Sequence, residues 1–128
     1  MRRGSAAAAG PRAPSHSLQQ AIRLRHHGGD VELADAQRAA ELCAINILAQ
    51  AKAALSGDLS RISRVVKLNG FVASAPGFIE QHLVINGASN LIANVLGDAG
   101  KHARAAVGVA QLPLNAAVEI DAILEIAL

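Results

Sequence analysis

Aromatic side chains are almost absent from this 128-residue chain: there is no Trp or Tyr, and Phe is found only at Phe71 and Phe78. Binding of single-stranded nucleic acid by stacked bases depends on such rings, so that function has no platform here. Cysteine is equally scarce. Cys43 stands alone, so no internal disulfide can form, and a reducing, cytoplasmic compartment fits best. It falls on the apolar stripe of a predicted helix with no His/Asn context to activate it, and reads as an inert core thiol. Long apolar runs are missing too: each is broken well before the ~18 residues that a membrane span needs, so no membrane is implied.

Acidic residues are missing from one stretch. None precedes Asp30, whereas Arg2, Arg3, Arg12, Arg23 and Arg25 all do. The formal charge of +2 therefore hides a split, because residues 30–128 hold seven basic residues against ten acidic ones. A domain with that balance has no electrostatic case for nucleic acid. What is present is apolar: 52% hydrophobic and 17% charged residues exclude a disordered chain, and the length suits one domain.

Two segments are expected. Residues 1–28 are rich in Arg, Ala, Gly and Pro without a sustained period, and are expected to be disordered and to stay off the domain, as an altered start or a basic targeting segment for an organelle. His26-His27 lacks Cys or carboxylate partners at ligand spacing, so no metal is implied. Residues 29–128 form the domain. Leu33, Ala36, Ala40, Cys43, Ala44, Ile47, Leu48, Ala51 and Leu55 recur at helical spacing, and Gly57 ends that helix. "ISRVVKLNGFVAS" reads as a strand with Val66, Leu68 and Val72 on one face. "APGF" turns the chain into a second helix near 79–96, striped by Val84, Ala88, Leu91, Ile92 and Val95. "GDAGK" is no phosphate loop, since His102 follows where Ser or Thr is needed and the glycines end a helix.

The remainder, His102 to Ile126, reads as two strands of a hairpin turning at Pro113-Leu114-Asn115. Matching Val107 and Val109 to Val118, Ile120, Ala122 and Leu124 sets the register, because a one-residue slip would reverse a whole face. Arg104 then shares the other face with Glu119, Asp121 and Glu125. On that register an Arg104–Glu125 surface pair is the plain reading. Glu119 lies some 15–20 Å from Arg104, so the two can cooperate only across subunits. The inventory is α-β-α-β-β, an α+β domain whose antiparallel sheet carries two helices on one face. Three visible strands are few for two long helices.

"GKHARAAVGVAQLPLNAAVEIDAILEI" resembles the C-terminal signature of the reactive intermediate deaminase superfamily, also called Rid or YjgF. "NGFVASAPGF" and "VINGASNLIANVLGDAGKHAR" resemble its endoribonuclease L-PSP or chorismate-mutase-like branch. The likeness covers Gly29 to about Ala127. It implies a chorismate-mutase-like subunit and a homotrimer with clefts between subunits. It also implies a substrate-binding Arg104 that clamps a carboxylate, ligand contact through the Ala106 backbone, and a catalytic Glu119 that assists the attacking water. Substrates would be enamines and imines of amino acids, the products a 2-keto acid and ammonia, with no metal or organic cofactor. Two departures stand out. Nothing in residues 1–28 matches the family's first two strands, which accounts for the short sheet. Ala106 stands where cysteine or a hydroxyl residue is common.

Two functions follow. One is hydrolytic deamination of small enamine or imine acids in an inter-subunit cleft. The alternative is a non-catalytic ligand-binding or oligomeric scaffold, impaired by the absent strands. Ribonuclease action has no support in the composition.

Overall fold

The computed structural model describes residues 15–22 and 32–127. The expectations resting on Arg2, Arg3, Arg12, Arg23, Arg25 and His26-His27 lie outside the described residues. The elements run β1 (Ser15–Ile22), α1 (Leu33–Ala54), β2 (Ile62–Ala73), α2 (Gln81–Leu96), β3 (Ala103–Val109) and β4 (Val118–Ile126). The sheet order is β1-β4-β2-β3. Two helices on one face of a sheet is the expected α+β, chorismate-mutase-like architecture.

Helix α1 follows its stripe closely. Ala36, Ala40, Cys43, Ala44, Ile47, Leu48, Ala51 and Leu55 are all buried, as is Ala39. Cys43 is fully enclosed, its Sγ 4.0 Å from the Val118 carbonyl. Past Leu55, Ser56 and Gly57 take left-handed backbone (φ 55° and 91°), and the Gly57 N–H closes onto the Lys52 carbonyl at 2.8 Å. That bond satisfies an otherwise orphaned helix carbonyl. In α2 the buried set is Val84, Ile85, Ala88 and Ile92, while Val95 is 53% exposed. Gly87 lets the helices touch, since a β-carbon there would strike the Gln37 carbonyl of α1.

The sheet departs from expectation in its pairing. There is no β3–β4 hairpin: β3 pairs parallel with β2, and β4 pairs antiparallel with the other side of β2. The sheet is therefore mixed, not purely antiparallel. The cause is the crossover through α2, which returns the chain in the direction of β2, as helical connections do. Residues 110–117 then step over the end of β2, held by Ser74 N–H to Val109 O and Ala73 N–H to Ala117 O, both 2.9 Å. A link of that length spans one intervening strand, whereas a hairpin needs only a few residues.

Pairing sets the faces. Leu68 lies between Arg104 and Ala122, and Gly70 between Ala106 and Ile120. These rows lie under the helices with Val72, Val118 and Leu124. The rows between them, Ala105–Asn69–Asp121 and Val107–Phe71–Glu119, face the other way. Arg104 and Glu119 thus point to opposite faces, which corrects the shared face expected from a hairpin. A register shift between Val65 and Lys67 also makes Val65, not Val66, the buried valine at the start of β2.

The segment before Gly29 does contribute. β1 pairs antiparallel with β4 from Ser15↔Glu125 to Ile22↔Val118, and Leu18 packs against the core. This corrects the expectation that the family's early strands are wholly absent and that residues 1–28 stay apart from the domain.

Candidate functional site

Arg104 rises from β3, the last strand in the order, on the helix-covered face where α2 turns a polar flank toward it. Asn86 and Ser89, three residues apart on α2, share that flank by helical geometry. One nitrogen of the guanidinium reaches both: Nη1 donates to Asn86 Oδ1 at 2.7 Å and to Ser89 Oγ at 3.3 Å. Both hydrogens of Nη1 are engaged. The Nε–Nη2 edge has no protein partner among the described residues. That edge carries two parallel N–H groups, the arrangement that binds a carboxylate with two hydrogen bonds. Arg104 is exposed and is paired with no carboxylate among the described residues.

The expected Arg104–Glu125 pair is not formed. Glu125 instead meets Arg64 at 3.4 Å and accepts from Ser63 Oγ, because β2 rather than β3 borders β4. Two further residues extend the Arg104 side. Ser89 Oγ lies 2.9 Å from His102 Nε2, and His102 Nδ1 lies 2.6 Å from the Gly100 carbonyl. Asn86 also borders a groove of about 510 Å³ between α1 and α2, with Gln37, Glu41, Asn90 and Asn94.

Ala106 lies two residues beyond Arg104 on the same face, half-buried against the core. β3 has a partner strand on one side only, so its outer backbone edge is open among the described residues. Glu119 is half-buried on the opposite face across from Phe71, and no hydrogen bond or ion pair reaches its carboxylate among the described residues. Its neighbour Asp121 accepts from Asn69 Nδ2 at 2.8 Å. From Arg104 to Glu119 is three residues along β2 and two strand spacings across, about 14 Å between backbones. One chain brings Arg104 and Ala106 together and leaves Glu119 behind the sheet.

Sequence reasoning missed Asn86, Ser89 and His102. The readable signal was polar residues at i and i+3 inside the apolar helix "VINGASNLI", with a histidine two residues before the arginine. Among the described residues no group of three or more His, Cys, Asp or Glu could hold a metal ion, and no helix is long and apolar enough to cross a membrane.

Residues 15–126 match the sequence profile of a family described as "YjgF/chorismate_mutase-like, putative endoribonuclease". The crystal structure of Atu1372, a protein of unknown function from Agrobacterium tumefaciens, is 71% identical over 85% of this chain and 68% of its own, with a TM-score of 0.77. Protein TCP17 of Trypanosoma cruzi is 55% identical over 100 residues. That match takes in 77% of this chain, which spans only 62% of the length of TCP17. The crystal structure of a protein described as a "putative endoribonuclease" from Shewanella oneidensis MR-1 is 26% identical over 93% of this chain and 87% of its own, with a TM-score of 0.74.

Proposed function

Because the chain belongs to the YjgF/chorismate mutase-like family, we propose that it hydrolyses small enamine and imine acids to a 2-keto acid and ammonia, in clefts completed between subunits of a cytoplasmic homotrimer. The observation that carries this reading is the half-committed guanidinium of Arg104, pinned at Nη1 by two neutral oxygens with its Nε–Nη2 edge unpaired among the described residues.

In this reading the substrate carboxylate takes the Nε–Nη2 edge of Arg104, and the open backbone of β3 at Ala106 holds the reacting end. The enamine tautomerises to the imine, and water adds to the imine carbon. Glu119 of a second subunit accepts a proton from that water and returns it to nitrogen. The hydroxyl proton of the resulting carbinolamine then passes to nitrogen, the C–N bond breaks, ammonia leaves and a carbonyl remains. A carboxylate without a partner among the described residues suits that work. No metal or organic cofactor takes part. The opposite facing of Arg104 and Glu119 within one chain supports a cleft shared between subunits in this reading, and it also favours a second reading, a scaffold that binds carboxylates without turning them over.

The test is ammonia release from freshly generated 2-aminoacrylate or 2-iminopropionate, with pyruvate binding measured beside it. The intact protein should accelerate release. Glu119→Gln should keep pyruvate binding and lose roughly 100-fold or more in turnover, since an amide accepts no proton from water. Pyruvate binding with no ammonia release by the intact protein would leave the scaffold reading in its place.

A further inference from the structure

We propose that Ser89 and His102 are positioning residues for Arg104, an inference that rests on the clamp reading above. The hydrogen-bond chain has one direction. The Gly100 carbonyl can only accept, so the hydrogen on His102 sits at Nδ1, where the two groups are 2.6 Å apart. In the neutral imidazole Nε2 is then an acceptor, and among the described residues the donor beside it is the Ser89 hydroxyl at 2.9 Å. With its hydrogen spent on His102, Ser89 turns a lone pair to Arg104 Nη1. Asn86 takes the other Nη1 hydrogen.

Each link removes a freedom. A serine in mid-helix ordinarily gives its hydroxyl to the carbonyl four residues back, here Ile85, and a free rotor could turn its hydrogen toward the guanidinium. His102 suppresses both. His102 is in turn fixed by Gly100, where the turn lies so close to α2 that a β-carbon would come within 2.5 Å of the Ile92 carbonyl. The backbone of the turn thus sets the imidazole, the imidazole sets the hydroxyl, and the hydroxyl with Asn86 sets which guanidinium edge faces outward. A mere staple between α2 and the turn would need no partner at Arg104.

The experiment measures pyruvate affinity, KM, kcat and thermal unfolding for the full chain and for Arg104→Lys, Ser89→Ala, His102→Ala, His102→Gln and the double variant Ser89→Ala/His102→Ala. Alanine suits a helix interior, so Ser89→Ala is expected to fold. Ser89→Ala and His102→Ala should each weaken pyruvate binding and raise KM by about 3- to 10-fold, the size of one hydrogen bond, with a smaller change in kcat. The double variant should be no worse than either single one, because the two residues act in series. His102→Gln, whose amide oxygen can accept from Ser89, should recover most of the loss. Lowered thermal stability with parental pyruvate affinity in both single variants, while Arg104→Lys binds weakly, would overturn the inference and leave the clamp. An additive double variant would overturn the series. Parental affinity in Arg104→Lys would remove the clamp itself.

Discussion

The two faces of the sheet use the same strands for different ends. Under the helices, Leu68, Val118, Ile120 and Leu124 are sealed in a continuous core. The other face of the same strands carries Asn69, Phe71, Val107, Glu119 and Asp121, and Val107 is 46% exposed. Strand alternation explains how neighbours in sequence come to have opposite roles. Arg104 belongs to the first face but stands at its margin, where α2 offers an amide and a hydroxyl in place of methyl groups. The covered face therefore builds the arginine's mount, and the open face carries Glu119, whose carboxylate has no partner among the described residues. In the proposed reading neither face alone holds a complete site.

The largest expected effect separates the faces by stability. Ile120→Ala should lower unfolding free energy by about 2–5 kcal/mol, since a fully buried side chain leaves a cavity. Val107→Ala at low protein concentration should cost less than about 1 kcal/mol. If subunits cover the open face, that cost should grow with concentration in denaturant titrations. Arg104→Lys keeps the charge and loses the two-pronged edge, so pyruvate binding should weaken by about 1.5–3 kcal/mol without a matching loss of stability. Isothermal titration beside thermal melts checks both halves. Arg64→Ala, which breaks the exposed contact with Glu125, should cost less than about 1 kcal/mol and still less in 1 M salt. The smallest effect concerns Asp58. Hydrogen bonds from the side chain and backbone of Ser60 lower its pKa from the ordinary 3.8. The carboxylate thus contributes stability above pH 3.8 that fades as pH falls through the lowered value. Asp58→Asn should be slightly less stable than the parent near neutrality, with the difference shrinking as pH falls below 3.8, as read by thermal melts.

Periodicity made the helices and β4 legible. The alanine and isoleucine spacing of α1 states its buried side, and the alternation of β4 states which residues are covered. Periodicity is silent on neighbours. It says that Val118 and Val107 each lie on some face, and nothing in either strand shows that β2 stands between them. The hairpin expectation failed for that reason, and with it the Arg104–Glu125 pair. Val65 escaped because a register shift interrupts the alternation of β2. β1 escaped because "SHSLQQAI" has few apolar residues to mark it, its pairing being supplied by the backbone of β4. Arg104 and Glu119 stood out as charges in an apolar strand pair, their roles and the choice of Ala106 came from family resemblance, and Asn86, Ser89 and His102 are joined to Arg104 only by the packing of α2 over β3.

The claim that ties the faces together is that Arg104 of one subunit works with Glu119 of another. Arg104→Lys and Glu119→Gln proteins, each nearly inactive alone, can be unfolded together, refolded as a mixture and assayed for ammonia release. Mixed assemblies contain clefts in which an intact Arg104 from one chain meets an intact Glu119 from the other. The account predicts that the mixture recovers a substantial part of parental activity, while each variant refolded alone does not. A mixture no more active than its components, with mixed assemblies shown by native mass spectrometry, would contradict it.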